Sequence, residues 1–325
     1  MSLIYLHAFF STKTLEEEAH QIINSTMSTN NSTMSTANNG MSKCAACGKG
    51  DDSRKICNGC KLVKYCDATC QMAHRPMHKK ECKKRAAELK DEALFKKKPP
   101  PIDDCPICML PIPTNAGIEA QYQACCGKTI CAGCMDEILE ADNGDLCPFC
   151  RTPGPTSHAE LVERVKKRAE GDDAEAMNIL GGYYSDGMMG LPQDYGKGIE
   201  LYTRAANLGC TRAYGNVGYS YQNGLGVERD EKKATHYYEL AAMGGDAGAR
   251  ANLGVTEAYA GNFDRAVKHW MISAGAGDDH SLNSIRECFL HGDATKDNFE
   301  EALRAHKKAK DEMRSHRRDA VRPIS

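Results

Sequence analysis

Residues 105–151 carry eight cysteines in four pairs: Cys105-Pro-Ile-Cys108, Cys125-Cys126, Cys131-Ala-Gly-Cys134 and Cys147-Pro-Phe-Cys150, the last followed directly by Arg151. A C-x2-C turn delivers two thiolates from one tight loop, and Zn²⁺ takes four soft ligands in a tetrahedron. Eight thiolates make two closed sites with no position left for water, so a metal here is structural rather than catalytic. The same logic applies upstream, where Cys44/Cys47, Cys57/Cys60, Cys66/Cys70, His78 and Cys82 supply eight more ligands within 44–82. His78 and Cys82 are spaced i, i+4, which places both on one face of a helix. His74, four residues after Cys70, is a competing candidate and reads as a solvated helix residue.

Of the 17 cysteines, fifteen fall in these two stretches, which points to a reducing compartment rather than a secreted disulfide scaffold. Cys210 and Cys288 remain, and read as buried thiols of a helical region. The chain has 325 residues, enough for two to three domains. A net charge of -2 and a pI near 6.6 give no basic excess for nucleic acid. No apolar run approaches the ~18 residues that span a bilayer. Met1–Phe10 is apolar but lacks a basic n-region and a small-residue cleavage site. The expectation is an intracellular protein, cytoplasmic and/or nuclear, with neither membrane nor nucleic acid as partner. Residues 1–43 form a polar tail in which Asn-Ser-Thr-Met-Ser-Thr occurs at 24–29 and again at 31–36, and such a tract is expected to be disordered.

The spacing over 105–151 resembles a RING finger of the variant whose eight ligands are all cysteine. The resemblance implies a cross-braced order: Cys105, Cys108, Cys131 and Cys134 on one zinc, and Cys125, Cys126, Cys147 and Cys150 on the other. It also implies contacts to a ubiquitin-conjugating enzyme by Ile107, Ile138, Pro148 and Arg151. In RING ligases that arginine hydrogen-bonds across the conjugating enzyme and ubiquitin and favours the reactive closed conformation. Residues 44–82, with Tyr65-Cys-Asp-Ala-Thr-Cys70-Gln and His78-Lys79, are similar to a MYND finger. That resemblance implies Cys44, Cys47, Cys66 and Cys70 on one zinc, Cys57, Cys60, His78 and Cys82 on a second, and a proline-containing peptide as partner. Four zinc ions are thus expected, two per module. Between the modules, residues 83–104 read as a linker: Ala86–Lys98 looks helical, with Leu89, Ala93 and Leu94 on one stripe, and Pro99-Pro100-Pro101 ends the helix as a stiff spacer.

From 160 to 310 the chain repeats itself. Leu180-Gly181, Val217-Gly218 and Leu253-Gly254 recur, and Leu201-Tyr202…Ala205-Ala206 returns as Tyr237-Tyr238…Ala241-Ala242 and as His269-Trp270…Ser273-Ala274, at intervals of 36 and then 32 residues. Two helical patterns per period signal an α-solenoid. The matched glycines and alanines predict close helix approach, and Tyr184, Tyr202, Tyr221, Tyr238 and Tyr259 read as core wedges. Ser157, with Glu160 three residues on, reads as a capping box at the first helix. The units resemble Sel1-like repeats, relatives of the tetratricopeptide family, which implies a surface that takes a protein substrate or domain. Residues 311–325 form a basic tail.

The fold expected is therefore mostly α, with two small zinc-stapled modules followed by a Sel1-like solenoid. The chain carries no G-x-x-x-x-G-K-[ST], G-x-S-x-G or H-E-x-x-H motif. Two readings stand. One is a RING-type E3 ubiquitin-protein ligase that positions a charged conjugating enzyme without a covalent intermediate. The other is a non-catalytic adaptor that uses the same surfaces.

Overall fold

A computed structural model describes residues 43–50, 55–95, 104–112, 120–140 and 146–314. The expectations for the polar tail before residue 43, for the triple proline and for the tail from 315 lie outside the described residues. The chain divides into two compact units, Met1–Leu89 and Lys90–Ser325.

The first unit has almost no apolar interior. Its buried residues are Cys44, Cys57, Cys60 and Tyr65. A two-residue hairpin, β1 (Lys55–Ile56) and β2 (Lys64–Tyr65), pairs Lys55 with Tyr65, and Cys44 bridges to Lys64. Helix α1 (Ala68–Leu94) starts here. The Asp67 carboxylate accepts from the Cys70 amide at 2.8 Å, which satisfies one of the orphan donors of the first turn. The helix carries Pro76 in its interior and shows no continuous apolar stripe. In this unit, what α1 buries is its ligand face, where His78 and Cys82 sit.

The second unit opens with the last turn of α1, which is no mere spacer. Leu94 is buried among Ala234, Tyr238, Ala241, Ala249 and Leu253 of the helical repeats. The sequence pattern placed Leu94 on a helical stripe correctly but gave no sign of what that stripe would meet. Next comes the 104–153 module. Strands β3 (Ala120–Gln123) and β4 (Lys128–Cys131) form an antiparallel hairpin, followed by α2 (Ala132–Glu140). Its core is Cys105, Ile112, Ile130, Cys131 and Cys134, with Ile107, Met135, Ile138 and Phe149 against it.

Nine consecutive helices follow: α3 (His158–Glu170), α4 (Ala174–Asp186), α5 (Tyr195–Asn207), α6 (Thr211–Asn223), α7 (Glu231–Met243), α8 (Ala247–Tyr259), α9 (Phe263–Ala274), α10 (Asp279–His291) and α11 (Lys296–Met313). Each packs on the next. Aspartates 173, 194, 230, 246 and 278 cap the starts of five of them through side-chain bonds to backbone amides. Ser157 accepts from the Glu160 amide as expected, but the Glu160 carboxylate reaches one residue further back, to Thr156.

The matched glycines do what their recurrence implied. A Cβ on Gly181 would lie 2.8 Å from the Tyr202 ring, one on Gly218 would lie 2.8 Å from the Tyr238 ring, and one on Gly254 would collide with the Trp270 indole. Each repeat thus seats one aromatic face directly on a helix backbone. Tyr202 and Tyr238 are buried wedges, and Tyr184 and Tyr221 are half-buried. Tyr259 is not a wedge, being 90% exposed. The long loops after α4 and α6 fold back so that Asp194 and Asp230 bond to the carbonyls of Tyr184 and Tyr221. After α8, Ala260-Gly261-Asn262 leads straight into α9, and no loop covers Tyr259. On the closing helix α11, Ala302 is buried and Leu303 faces solvent.

His269 on α9 is fully buried beside Phe95, Arg250 and Arg265. Burial, reinforced by the charges of Arg250 and Arg265 and opposed by Glu257 and Asp91, pulls its imidazole down to about 4. Lys268, over the Phe95 ring, adds a further cation nearby. An unfolded histidine takes its proton near 6.5. The stability tied to a neutral ring is therefore complete above pH 6.5 and drains away as pH falls toward about 4. The full window is worth about 3 kcal/mol. Urea melts at pH 7.5 and pH 5 should show this loss, and His269→Gln should flatten the slope that the wild type retains; equal slopes would refute the assignment.

Candidate metal centres

Sixteen side chains fall into four groups whose ligand atoms lie within 4.8 Å of one another: Cys44, Cys47, Cys66, Cys70; Cys57, Cys60, His78, Cys82; Cys105, Cys108, Cys131, Cys134; and Cys125, Cys126, Cys147, Cys150. These are the interleaved and cross-braced sets that the two resemblances implied. Their donors suit the ion. Four sulfurs at ~2.3 Å from a tetrahedral zinc stand about 3.8 Å apart. The Sγ···Sγ distances are 3.7 Å for Cys47–Cys66, 3.6 Å for Cys57–Cys82, 3.8 Å for Cys108–Cys131 and 3.7 Å for Cys126–Cys147. His78 brings Nε2 to 3.2 Å from Cys60 Sγ.

Four of the ligand loops share one backbone device. Gly48, Lys61, Met109 and Arg151 each follow the second cysteine of a C-x2-C turn, and each is left-handed, with φ between 57° and 72°. Their amides close the turn onto the carbonyls of Cys44, Cys57, Cys105 and Cys147 at 2.8–3.0 Å. The vicinal pair Cys125-Cys126 is handled differently. It sits in the β3–β4 turn, where the positive φ falls on Gly127 and neither cysteine leaves ordinary backbone space.

Partners outside the ligand sets orient them. His74 is more than a solvated helix residue: its Nδ1 lies 3.0 Å from the buried Tyr65 hydroxyl, and its ring stacks on His78 at 5.5 Å. Thr152 Oγ1 lies 3.2 Å from Cys150 Sγ, placed to donate to a thiolate. The Leu62 and Cys131 amides point at Cys60 and Cys105 sulfur at 3.5 Å. Of these, Tyr65, Leu62 and Thr152 carried no sign in the sequence of a role at the site, and His74 was a candidate ligand, not a brace. Of the residues expected to meet a conjugating enzyme, Ile107 and Ile138 are half-buried against the Cys105 core. Pro148 and Arg151 lie on the last loop, and Arg151 is exposed. Met109 and Leu139, which sequence reasoning passed over, add exposed apolar surface to the same module.

The hairpin is anchored on the first repeat helices. Tyr122 donates to Asp173 at 2.7 Å, Arg168 donates to both at 2.8 and 2.7 Å, and Ala124 joins the core of Val165 and Ala169. Burial, with the Glu175 charge, pushes the Cys210 thiol up to about 12, which disfavours a thiolate there.

The MYND-finger family model matches residues 44–82, and the Sel1-repeat family model matches residues 174–210 and 211–246. The chain carries a MYND finger and Sel1 repeats. Over 111 residues it is 30% identical to the ERAD-associated E3 ubiquitin-protein ligase component HRD3B of Arabidopsis thaliana, covering 34% of this chain and 17% of that protein. Over 86 residues it is 35% identical to chitin synthase regulatory factor 3 of Schizosaccharomyces pombe, covering 25% of this chain and 9% of that protein. The chain therefore spans less than a fifth of either relative's length. Among solved structures, the Sel1 repeat protein from Oxalobacter formigenes is 29% identical with a TM-score of 0.42, covering 47% of this chain and 64% of that one. The MYND finger and the four donor sets make this a zinc-binding chain, and both matched modules serve protein–protein interaction. Among the described residues, no helix is long and apolar enough to cross a membrane.

Proposed function

We propose that the chain is a RING-type E3 ubiquitin-protein ligase. Residues 105–151 would be its RING finger, the sixteen grouped side chains would hold four zinc ions, and Ile107, Ile138, Pro148 and Arg151 would meet a ubiquitin-charged conjugating enzyme. The MYND finger would take a proline-containing peptide and the repeats a protein substrate. Zinc supplies no chemistry in this scheme; it holds the loops. The protein's part is to position and orient two reactants that already share a thioester. Similarity over 111 residues to a protein named as a ligase component favours the same cellular chemistry.

Arg151 is the observation that carries the reading. Its φ of 58° is a conformation glycine adopts freely and other residues hold at about 1 kcal/mol or more. Its guanidinium makes no hydrogen bond or ion pair among the described residues. Lys61 and Met109 share that backbone geometry, so what supports the reading is the exposed, unpaired arginine directly after the last cysteine, where the RING resemblance puts the contact to the conjugating enzyme and ubiquitin.

Arg151→Gly separates the two readings. Zinc content should stay at the wild-type level, and stability should change by no more than ~1 kcal/mol. Ubiquitin-chain formation with a panel of conjugating enzymes should fall by roughly tenfold to a hundredfold, the value of one charged hydrogen bond in the transition state. If zinc-loaded, folded wild-type protein forms no chains with any conjugating enzyme, the chain is an adaptor only.

A further inference from the structure

A groove bounded by α7, α8 and α9 is filled by the end of α1, and the way it is filled resembles ligand recognition more than core packing. Leu94 occupies the apolar pocket. Its carbonyl accepts from Arg250 Nη1 at 2.7 Å. Asp91 pairs with Arg265 at 2.7 Å, and Lys90 pairs with Glu239 at 2.6 Å. The Phe95 ring lies 4.6 Å from the His269 ring, with the Arg265 guanidinium over its face at 5.1 Å. Charge pairs read the flanks, a guanidinium reads the main chain and two pockets read Leu and Phe. A peptide site works in this way.

The floor of the groove is incompletely satisfied. Arg250 is 3% exposed and His269 is 0% exposed, yet Arg250 Nε and both ring nitrogens of His269 have no hydrogen-bond partner among the described residues. Permanent cores rarely leave such groups unmet, because each costs free energy that water would return. Arg250 also meets no carboxylate, and burial alone pulls it down to about 10. The present occupant therefore serves as an adequate ligand and leaves room for a better one. Past Phe95 the groove continues between α9 and α11 as a cavity of about 570 Å³ floored by Met271, Ile272, Ala302 and Ala305.

We propose that this groove is a peptide-binding site that the chain closes in cis with Asp91–Phe95, and that in trans it takes a partner segment with the same order of groups: a cation toward Glu239, a carboxylate toward Arg265 and a Leu-Phe pair. The inference deepens the reading of the repeats as a recruitment surface, and its test measures binding alone, so it stands or falls apart from ligase activity. A tethered segment competes at an effective concentration of about millimolar. A partner must therefore exceed the cis segment in affinity, and carboxylates aimed at Arg250 provide one way to do so.

The probe is a fluorescein-labelled peptide of residues 84–96, read by anisotropy against the full zinc-loaded chain. The variant Leu94→Ala/Phe95→Ala should bind it, the wild type should bind at least tenfold more weakly, and adding Arg265→Glu to the open variant should cost at least tenfold. Equal binding by wild type and variant, or none by a folded variant, overturns the proposal. Should the double variant lose the cooperative melt of the repeats, Asp91→Lys/Phe95→Ala leaves Leu94 in place and meets the same measurement. Peptide binding above wild type then supports the site, and its absence shows the segment to be core and overturns it.

Discussion

Cys134→Ser should cost the chain a zinc ion and the fold of residues 105–151 together. That module buries few apolar side chains besides its ligands; Ile112 and Ile130 are the main ones. Two buried isoleucines contribute about 1.5–3 kcal/mol each, whereas ordering the backbone costs roughly 1–2 kcal/mol per residue. The difference has to come from metal, whose apparent binding free energy in structural sites is about 10–16 kcal/mol. Damage should not stop at one ion. Strand β4 carries Cys131 of one set, and the turn before it carries Cys125 and Cys126 of the other. Losing the first set loosens the second.

Nor should it stop at the module's edge, because Tyr122 and Ala124 of the hairpin pack against α3 and the start of α4. Hydrogen exchange should accelerate across 105–151 and over α3, while α5–α11 keep their protection through nearest-neighbour packing. Metal analysis and exchange mapping would check this together. A variant that retains four zinc ions, or protects 105–151 as wild type does, contradicts the account.

The second large effect is expected at Tyr238. It is the largest fully buried side chain among the described residues, its ring lies on Gly218, and its hydroxyl donates to Gln222 at 2.7 Å. Tyr238→Ala should destabilise the repeats by about 3–5 kcal/mol, through the lost aromatic contact and the cavity left between α6 and α7. In a linear array a weak middle unit also uncouples its neighbours, so the urea transition should broaden. Tyr259→Ala is the control. It removes the same chemistry from an exposed site and should change stability by less than ~0.5 kcal/mol. Similar losses in the two variants would mean that the aromatic-on-glycine contact is not what holds adjacent helices together.

The comparison also shows what the sequence could and could not disclose. Spacing located the candidate ligands, because a C-x2-C turn is a local object, while their grouping into four sets came only from what the RING and MYND resemblances imply. Gly181, Gly218 and Gly254 betrayed close approach because they recur in register with an aromatic. Tyr259 misled: Tyr184 and Tyr221 stand three residues after Gly181 and Gly218, but Tyr259 stands five after Gly254, out of register with them, and no loop covers it. Leu94 looked like one member of a linker stripe. Its partner Arg250 lies 156 residues away, and no periodicity reports a contact of that separation. The Tyr65–His74 contact was illegible for a similar reason: bracing a ligand requires an angle between strand and helix that spacing does not encode.

The seat of the hairpin on α3 carries a last implication. Stacked-helix arrays have two raw ends, each of which can accept another copy and grow into a fibre. Here the zinc-held hairpin lies against the leading helix through Tyr122, Ala124 and the close approach of Gly127 to Arg168, where one more repeat would otherwise stack. Loss of the hairpin's fold should therefore bare the leading helix, an outcome that light scattering of the chelated chain would read as larger assemblies.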